Sequence, residues 1–434
     1  NQLGVSPTFN LLTSVMDDMR PENKYLHLMD EQEAITKAQA LLNRPGDANV
    51  SPLAVYRHAA KADSVQQRRP NVVLIMMESM SAKFMKHFGQ SETLTPFLDS
   101  LYTRSISFRN FYSAGIHTNH GLYATLYSFP AMMKRNLMKG SVIPRYSGLP
   151  TVLKENGYYN LFFMTHEGQY DNMNAFFRTN GYDEVFSQED YPADKVVNSF
   201  GVQDDFLYDY AIPVLNQRAA TGQPFFATLL SISNHPPYVI PPFFHPKTSG
   251  PETQIVEYAD WALRQFFEEA RKQPWFDNTI FVLEGDHGKL VGDAECELPE
   301  SYNHIPLMIY SSRIQPEEKT AFGGQVDIQP TILGLLNIDY LQNNFGVDLL
   351  KEERPCMFYT ADNMVVGRND TLLYLYNYET QQELTYHIGN GKLNAVPMDD
   401  SFFPLKEYSF SMLQSAEFLV KHGKTLNSIP FTQQ

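Results

Sequence analysis

From residue 71 onward the chain alternates short apolar runs with longer stretches of helical spacing. The sharpest run is Asn71–Met77 (NVVLIMM), apolar at every position after the first. A continuous run of this length predicts a strand buried on both faces. The runs at 107–111, 160–164, 225–230, 279–283 and 306–310 read the same way. Between them lie helical patterns at 94–104, 120–127, 149–155, 204–218, 253–272 and 327–336. Strands alternating with helices predict an α/β fold with a mainly parallel sheet between helices. In such a sheet, ligands and chemistry collect at the carboxyl ends of the strands.

The two ends of the chain have a different character. Residues 1–69 are mostly polar, and Glu31–Leu42 is a good helix pattern stopped by Asn43-Arg44-Pro45-Gly46. This predicts an N-terminal helical arm. After about Pro355, short runs at 357–359, 364–366, 372–378 and 384–388 are separated by polar turns, and 401–422 reads as a closing helix. They predict a small antiparallel subdomain over 355–434, which leaves 70–354 as the central domain.

Hydrophobic residues make up 43% of the 434-residue chain, too many for a disordered one. The formal charge of −15 argues against nucleic acid and against adhesion to an anionic bilayer through bulk charge. Two cysteines, Cys296 and Cys356, make no disulfide framework. No apolar run is long enough to span a membrane.

The residues just past the strand ends are chemically suggestive. Run 71–77 leads into Glu78-Ser79, and run 279–283 into Glu284-Gly285-Asp286-His287-Gly288. Carboxylates and one imidazole converging from two strand ends suit Mn²⁺, Mg²⁺ or Zn²⁺. Taken alone, Glu78 is an ordinary solvated strand end, and Asp286-His287 is as readily a capped turn as a ligand pair. Gly285 and Gly288 would let backbone approach an ion closely. The segment Ser113-Ala114-Gly115-Ile116-His117-Thr118-Asn119-His120-Gly121 comes after a strand and opens a helix. Thr118 there is either a simple cap or, beside a metal, a nucleophile toward phosphorus. His166 lies just after the run 160–164. His235, in Ser233-Asn234-His235-Pro236-Pro237-Tyr238, lies just after 225–230, and His304 precedes 306–310. Singly, each is a satisfied polar group. Together they mark one rim of the sheet.

The order Glu78-Ser79, Gly115…Thr118, Ser233-Asn234-His235-Pro236-Pro237-Tyr238 and Gly285-Asp286-His287-Gly288 resembles the lipoteichoic acid synthase type of the sulfatase/alkaline phosphatase superfamily. The resemblance runs from about Pro70 to Ile338 and includes Gln325–Leu336. It implies an alkaline phosphatase-type fold, with 70–354 as the catalytic domain. It implies one divalent cation, Mn²⁺ first with Mg²⁺ or Zn²⁺ as alternatives, held by Glu78, Thr118, Asp286 and His287. Thr118 would be the nucleophile, and His235 and His304 would contact substrate and assist catalysis. The implied activity moves a phosphoglycerol-type headgroup from a phospholipid donor to a glycan or lipid acceptor. The implied location is the cell membrane, with the catalytic domain periplasmic or extracellular. N-terminal transmembrane helices would precede this chain, which begins at Asn1 as an ectodomain separated from them would.

Two departures bear on substrate. After the histidine matching His166, lipoteichoic acid synthases carry a Trp and an Arg that hold the headgroup, where this chain has Tyr170 and Asn172. An Arg fork for phosphate is lost. The expected substrate-binding set is therefore His166, Tyr170, Asn172, His235 and His304, with phosphoethanolamine transfer or phosphodiester hydrolysis as alternative activities. True sulfatases need Cys/Ser-x-Pro-x-Arg at the nucleophile. The segment Thr118-Asn119-His120-Gly121-Leu122 lacks it, which disfavours sulfate ester hydrolysis. A sensor or binding module that keeps the fold without turnover is the alternative from another class.

Overall fold

The apolar run at the start of the central domain forms a strand buried at all seven positions. Its side chains alternate between two cores. Val72, Leu74 and Met76 join a cluster with Leu122, Leu126 and Ile332, while Val73, Ile75 and Met77 join one with Leu207, Ile255 and Phe266. Both faces must therefore be covered, which is why every position after Asn71 is apolar. The computed structural model describes residues 25–44, 55–59, 69–139, 142–389 and 391–427. Most of the expected arm, 1–69, lies outside the described residues.

Along the chain the strands are β1 (Tyr56–Ala59), β2 (Asn71–Met77), β3 (Ile106–Tyr112), β4 (Tyr159–Met164), β5 (Glu184–Phe186), β6 (Phe225–Leu230), β7 (Thr279–Gly285), β8 (Leu307–Tyr310), β9 (Glu317–Gly324), β10 (Tyr340–Asn343), β11 (Met357–Thr360), β12 (Met364–Arg368), β13 (Leu372–Asn377), β14 (Gln382–Gly389) and β15 (Lys392–Val396). The helices are α1 (Glu31–Leu42), α2 (Pro96–Tyr102), α3 (Thr118–Tyr127), α4 (Leu149–Glu155), α5 (Met173–Thr179), α6 (Asp204–Ala219), α7 (Pro251–Ala270), α8 (Ile328–Leu335) and α9 (Phe403–Lys421).

The central sheet has eight strands in the order β5-β4-β6-β2-β7-β8-β3-β9. All run parallel except β8, which pairs antiparallel with both neighbours. The mainly parallel α/β expectation holds, with the run 306–310 supplying the exception. β9 carries Glu317-Glu318-Lys319 at its exposed start and has no apolar run there to mark it. It is an edge strand, where one side of the ladder meets solvent and polar residues are tolerated.

The C-terminal strands form a separate five-stranded antiparallel sheet, β11 to β15 in sequence order, under α9. Met357, Val365, Leu373, Leu405 and Met412 belong to the same core as Val72 and Leu74, so this sheet packs into one side of the molecule without a break. Helix α1 lies along α9. The Leu28 amide donates to Gln414 (2.7 Å), and Lys421 pairs with Glu31 (2.9 Å).

The register of the central strands places the site. Met76 is level with both Leu230 of β6 and Glu284 of β7, and Met77 is level with Gly285. The three strands therefore end together. The Ser231 amide donates to the Met76 carbonyl (3.0 Å) and the Asp286 amide to the Met77 carbonyl (3.0 Å), which carries the ladder one step past the strands.

Candidate active site

Glu78 and Asp286 emerge side by side from this common strand end, both buried. Their geometry is fixed from several directions. The Ser79 hydroxyl donates to Glu78 Oε1 (2.6 Å), while the Ser79 and His287 amides donate to Asp286 Oδ1 (2.8 and 2.7 Å). His287 Nε2 lies 3.6 Å from Asp286 Oδ2 and 3.9 Å from Glu78 Oε1. Its Nδ1 lies 2.7 Å from the Gly288 carbonyl, which can only accept. In the neutral ring Nδ1 therefore carries the hydrogen, and Nε2 keeps a lone pair for a ligand.

Burial, and then the neighbouring Asp286 carboxylate, push the Glu78 carboxyl well above the ordinary range. Two carboxylates side by side in a dry site repel each other unless a proton or cation intervenes. Asp286 Oδ2 is buried with no hydrogen-bond partner among the described residues. The ligand atoms of Glu78, Asp286 and His287 all lie within 4.8 Å of one another, the one such cluster among the described residues. Orphaned oxygen, paired carboxylates and a free imidazole nitrogen together fit a divalent cation.

Thr118 joins this cluster from α3. It is the first residue of that helix, and its hydroxyl donates to Glu78 Oε2 (3.4 Å). Helix α3 comes close to the Asp286 backbone because Gly121 has no side chain: a Cβ there would stand 2.2 Å from the Asp286 carbonyl. Gly285 and Gly288, expected to let backbone approach an ion, serve a different purpose. Their added Cβ atoms would meet the Met80 and Ser301 carbonyls at 2.4 and 2.0 Å, so they permit close packing of the loop on neighbouring backbone.

These groups open into a cleft of about 420 Å³, lined among others by Glu78, Thr118, Tyr170, His235, Tyr238, His287 and Lys289. His235 Nδ1 is 2.6 Å from the Pro236 carbonyl, and its ring lies on Phe200 with centroids 4.0 Å apart. Burial, and then His287, lower its pKa, so the ring is neutral with Nε2 as proton acceptor. Tyr170 lines the cleft and is 43% exposed. His166 is buried behind it, with ring centroids 4.6 Å apart.

Two expected residues are placed elsewhere. The Asn172 side chain turns away and donates to the Met138 carbonyl (3.2 Å), and its neighbour Asp171 lines the cleft instead. His304 sits at the rim, its backbone bridged to Tyr112 at the end of β3. Its ring, however, meets the Arg109 carbonyl through Nε2 (2.8 Å) and lies against Tyr112 and Phe88. It does not line the cleft; Tyr302 does. The backbone is the reason: the Ala82 amide donates to the His304 carbonyl (2.9 Å) and the His304 amide to the Glu300 carbonyl (2.8 Å), which fixes the loop with the ring facing outward from the site.

Sequence reasoning missed several cleft residues. Lys289 donates to Asn234 Oδ1 (2.6 Å) and to the Tyr238 hydroxyl (3.1 Å). Burial lowers its pKa to about 8. Glu252, at the start of α7, and Asp171 add carboxylates to the wall. His117, already part of the segment singled out around Thr118, also lines the cleft and pairs with Asp362 from the C-terminal sheet.

A mainly parallel sheet thus presents a carboxylate–histidine cluster and a helix-start hydroxyl at one rim, and similarity to solved structures places this fold in the alkaline phosphatase superfamily. Residues 70–338 match the sulfatase family, and the chain belongs to that family. A Vibrio parahaemolyticus protein in the alkaline phosphatase superfamily superposes with a TM-score of 0.81 at 26% identity, over 92% of this chain and 98% of that one. The lipoteichoic acid synthase LtaP from Listeria monocytogenes shares the fold, with a TM-score of 0.71 at 21% identity over 83% of this chain and 96% of that one. In sequence the chain is 26% identical to lipoteichoic acid synthase 1 of Bacillus subtilis over 327 residues, 69% of this chain and 50% of the relative. The chain thus spans about half the length of that curated relative. Within the family it is lipoteichoic acid synthase-like.

Proposed function

We propose that this chain is the catalytic part of a metal-dependent phosphotransferase that moves a phosphoglycerol-type headgroup from a phospholipid to a glycan or lipid hydroxyl. The observation that carries the reading is the Thr118 hydroxyl, 3.4 Å from Glu78 at a helix start and beside the Glu78–Asp286–His287 cluster. A binding module has no need of a hydroxyl there. The similarity to lipoteichoic acid synthases supports the substrate class.

In this reading Glu78, Thr118, Asp286 and His287 hold one divalent cation, Mn²⁺ first, which when bound supplies Lewis-acid stabilisation of developing negative charge. Thr118 Oγ1 gives its proton to solvent and attacks the donor phosphorus. The new Oγ1–P bond replaces the P–O bond to the lipid alcohol, which leaves as diacylglycerol after taking a proton. The N-terminus of α3 offers backbone N–H groups to the phosphoryl oxygens. The acceptor hydroxyl then attacks the same phosphorus, its proton passing to His235 Nε2, and Thr118 departs and is reprotonated. Residues 70–354 carry the site, 355–434 support it through the Asp362 contact to His117, and 1–69 connect to an upstream membrane anchor. The catalytic domain works outside the cytoplasm.

A phosphoethanolamine headgroup is the second reading. It is favoured by Asp171 and Glu252 on a cleft wall shared with Tyr170, Tyr238 and Tyr302, since carboxylates and aromatic faces both attract an ammonium. The test is diacylglycerol release from a panel of single phospholipids by the Mn²⁺-loaded protein. Release from phosphatidylglycerol that is lost in Thr118→Ala supports the first reading. Release from phosphatidylethanolamine alone selects the second, and release from neither rejects both.

A further inference from the structure

We infer that Lys289 is the recognition residue for the donor's phosphodiester, taking the part that the arginine fork of lipoteichoic acid synthases plays and that Asn172 does not; this rests on the phosphotransferase reading above. Among the described residues lining the cleft, Lys289 is the one lysine or arginine. It is held from two sides, by Asn234 Oδ1 (2.6 Å) and the Tyr238 hydroxyl (3.1 Å). Asn234 is itself buried and locked, its Nδ2 donating to the Glu78 and Ser79 carbonyls (3.2 and 3.1 Å). The ammonium is thus fixed relative to the very strand end that supplies Glu78. An ammonium has three donors, and two of these are used by neutral acceptors. Among the described residues no carboxylate forms an ion pair with it; Glu252 and Glu78 act on it only through space. A half-buried cation without a counter-ion is costly unless an anion arrives.

The charge balance of the site points the same way. Glu78, Asp286 and an ionised Thr118 oxygen carry three negative charges, one more than a divalent cation offsets. A phosphodiester adds a fourth. Lys289 supplies one positive charge against this excess, at a fixed position on the same wall as His235, whose own pKa it helps to lower. Its single ammonium contacts a phosphoryl oxygen as a point charge and does not grip two oxygens as a guanidinium does.

The test is calorimetric titration of the Mn²⁺-loaded protein with dimethyl phosphate, a singly charged diester, and with inorganic phosphate. Lys289→Met should bind dimethyl phosphate about tenfold to a hundredfold more weakly than wild type, the loss of one charge-assisted hydrogen bond. Lys289→Arg should retain most of the affinity, and metal content and melting temperature should stay near wild type in both. Unchanged diester affinity in Lys289→Met, or no diester binding by wild type, would overturn the assignment. So would a loss confined to inorganic phosphate, which would mark a monoester site. If wild type and variants behave as expected yet no headgroup transfer is found, the subsite stands and the transfer reading falls. If transfer proceeds and Lys289→Met binds normally, the reverse holds.

Discussion

Asp362, in the turn between β11 and β12 of the C-terminal sheet, lies 2.6 Å from Nε2 of His117, the residue immediately before Thr118. The small sheet therefore does more than close the core: it reaches back to the segment that carries Thr118. Both side chains are about half exposed, so solvent screens their attraction and the pair acts mainly through geometry. Asp362→Asn should lower kcat/KM by no more than about tenfold and leave metal content unchanged. Wild-type kcat/KM in the variant would show that the sheet plays no part in positioning Thr118.

Glu78 and Asp286 oppose each other in the absence of a cation. Glu78→Gln should therefore raise the melting temperature of the metal-free protein while weakening Mn²⁺ binding by more than about a hundredfold. Melting curves with and without metal, and metal content by mass spectrometry, check both signs. A variant that keeps its metal would remove Glu78 from the ligand set.

His235 and His304 should separate cleanly. His235→Ala loses a neutral imidazole on the cleft wall and should cut turnover by about a hundredfold or more. His304→Gln alters a ring bound to the Arg109 carbonyl, away from the cleft. It should cost about 1 kcal/mol of stability and leave turnover nearly intact. Equal losses of turnover in the two variants would contradict the placement of His304.

His120 predicts an acid-sensitive site. Neither ring nitrogen has a hydrogen-bond partner among the described residues, and burial, with His117 and His287 adding to it, pushes the imidazole down to about 3. The neutral ring is the stable one. Its contribution is fully present above the unfolded value of about 6.5 and is lost as pH falls toward about 3, by at most about 1.4 kcal/mol per pH unit. His120→Phe, which cannot titrate, should melt with a weaker dependence on pH in that window. Parallel curves for wild type and variant would contradict this.

The strands that place the site were legible because burial on both faces makes them nearly all apolar: Asn71–Met77 and Phe225–Leu230 stand out as runs in the sequence itself. Edge strands β9 and β15 were not, since solvent on one side admits Glu317, Lys319 and Lys392. The Glu78, Asp286 and His287 cluster followed from motif order. His304 shows the limit of that reasoning. Its loop is at the expected rim, but which way a side chain faces depends on backbone bonds from Ala82 and to Glu300 that no local pattern encodes. The His117–Asp362 pair joins residues 245 apart. Lys289 looks like any loop lysine until Asn234 and Tyr238 are brought to it.

The mechanism stands or falls on Thr118 carrying the headgroup covalently. The decisive experiment is intact mass after rapid acid quench of the Mn²⁺-loaded protein with phosphatidylglycerol. A glycerophosphate-sized adduct is expected on wild type, located at Thr118 by peptide mapping and absent from Thr118→Ala. Diacylglycerol release by Thr118→Ala at the wild-type rate, or an adduct mapped to another residue, would contradict it.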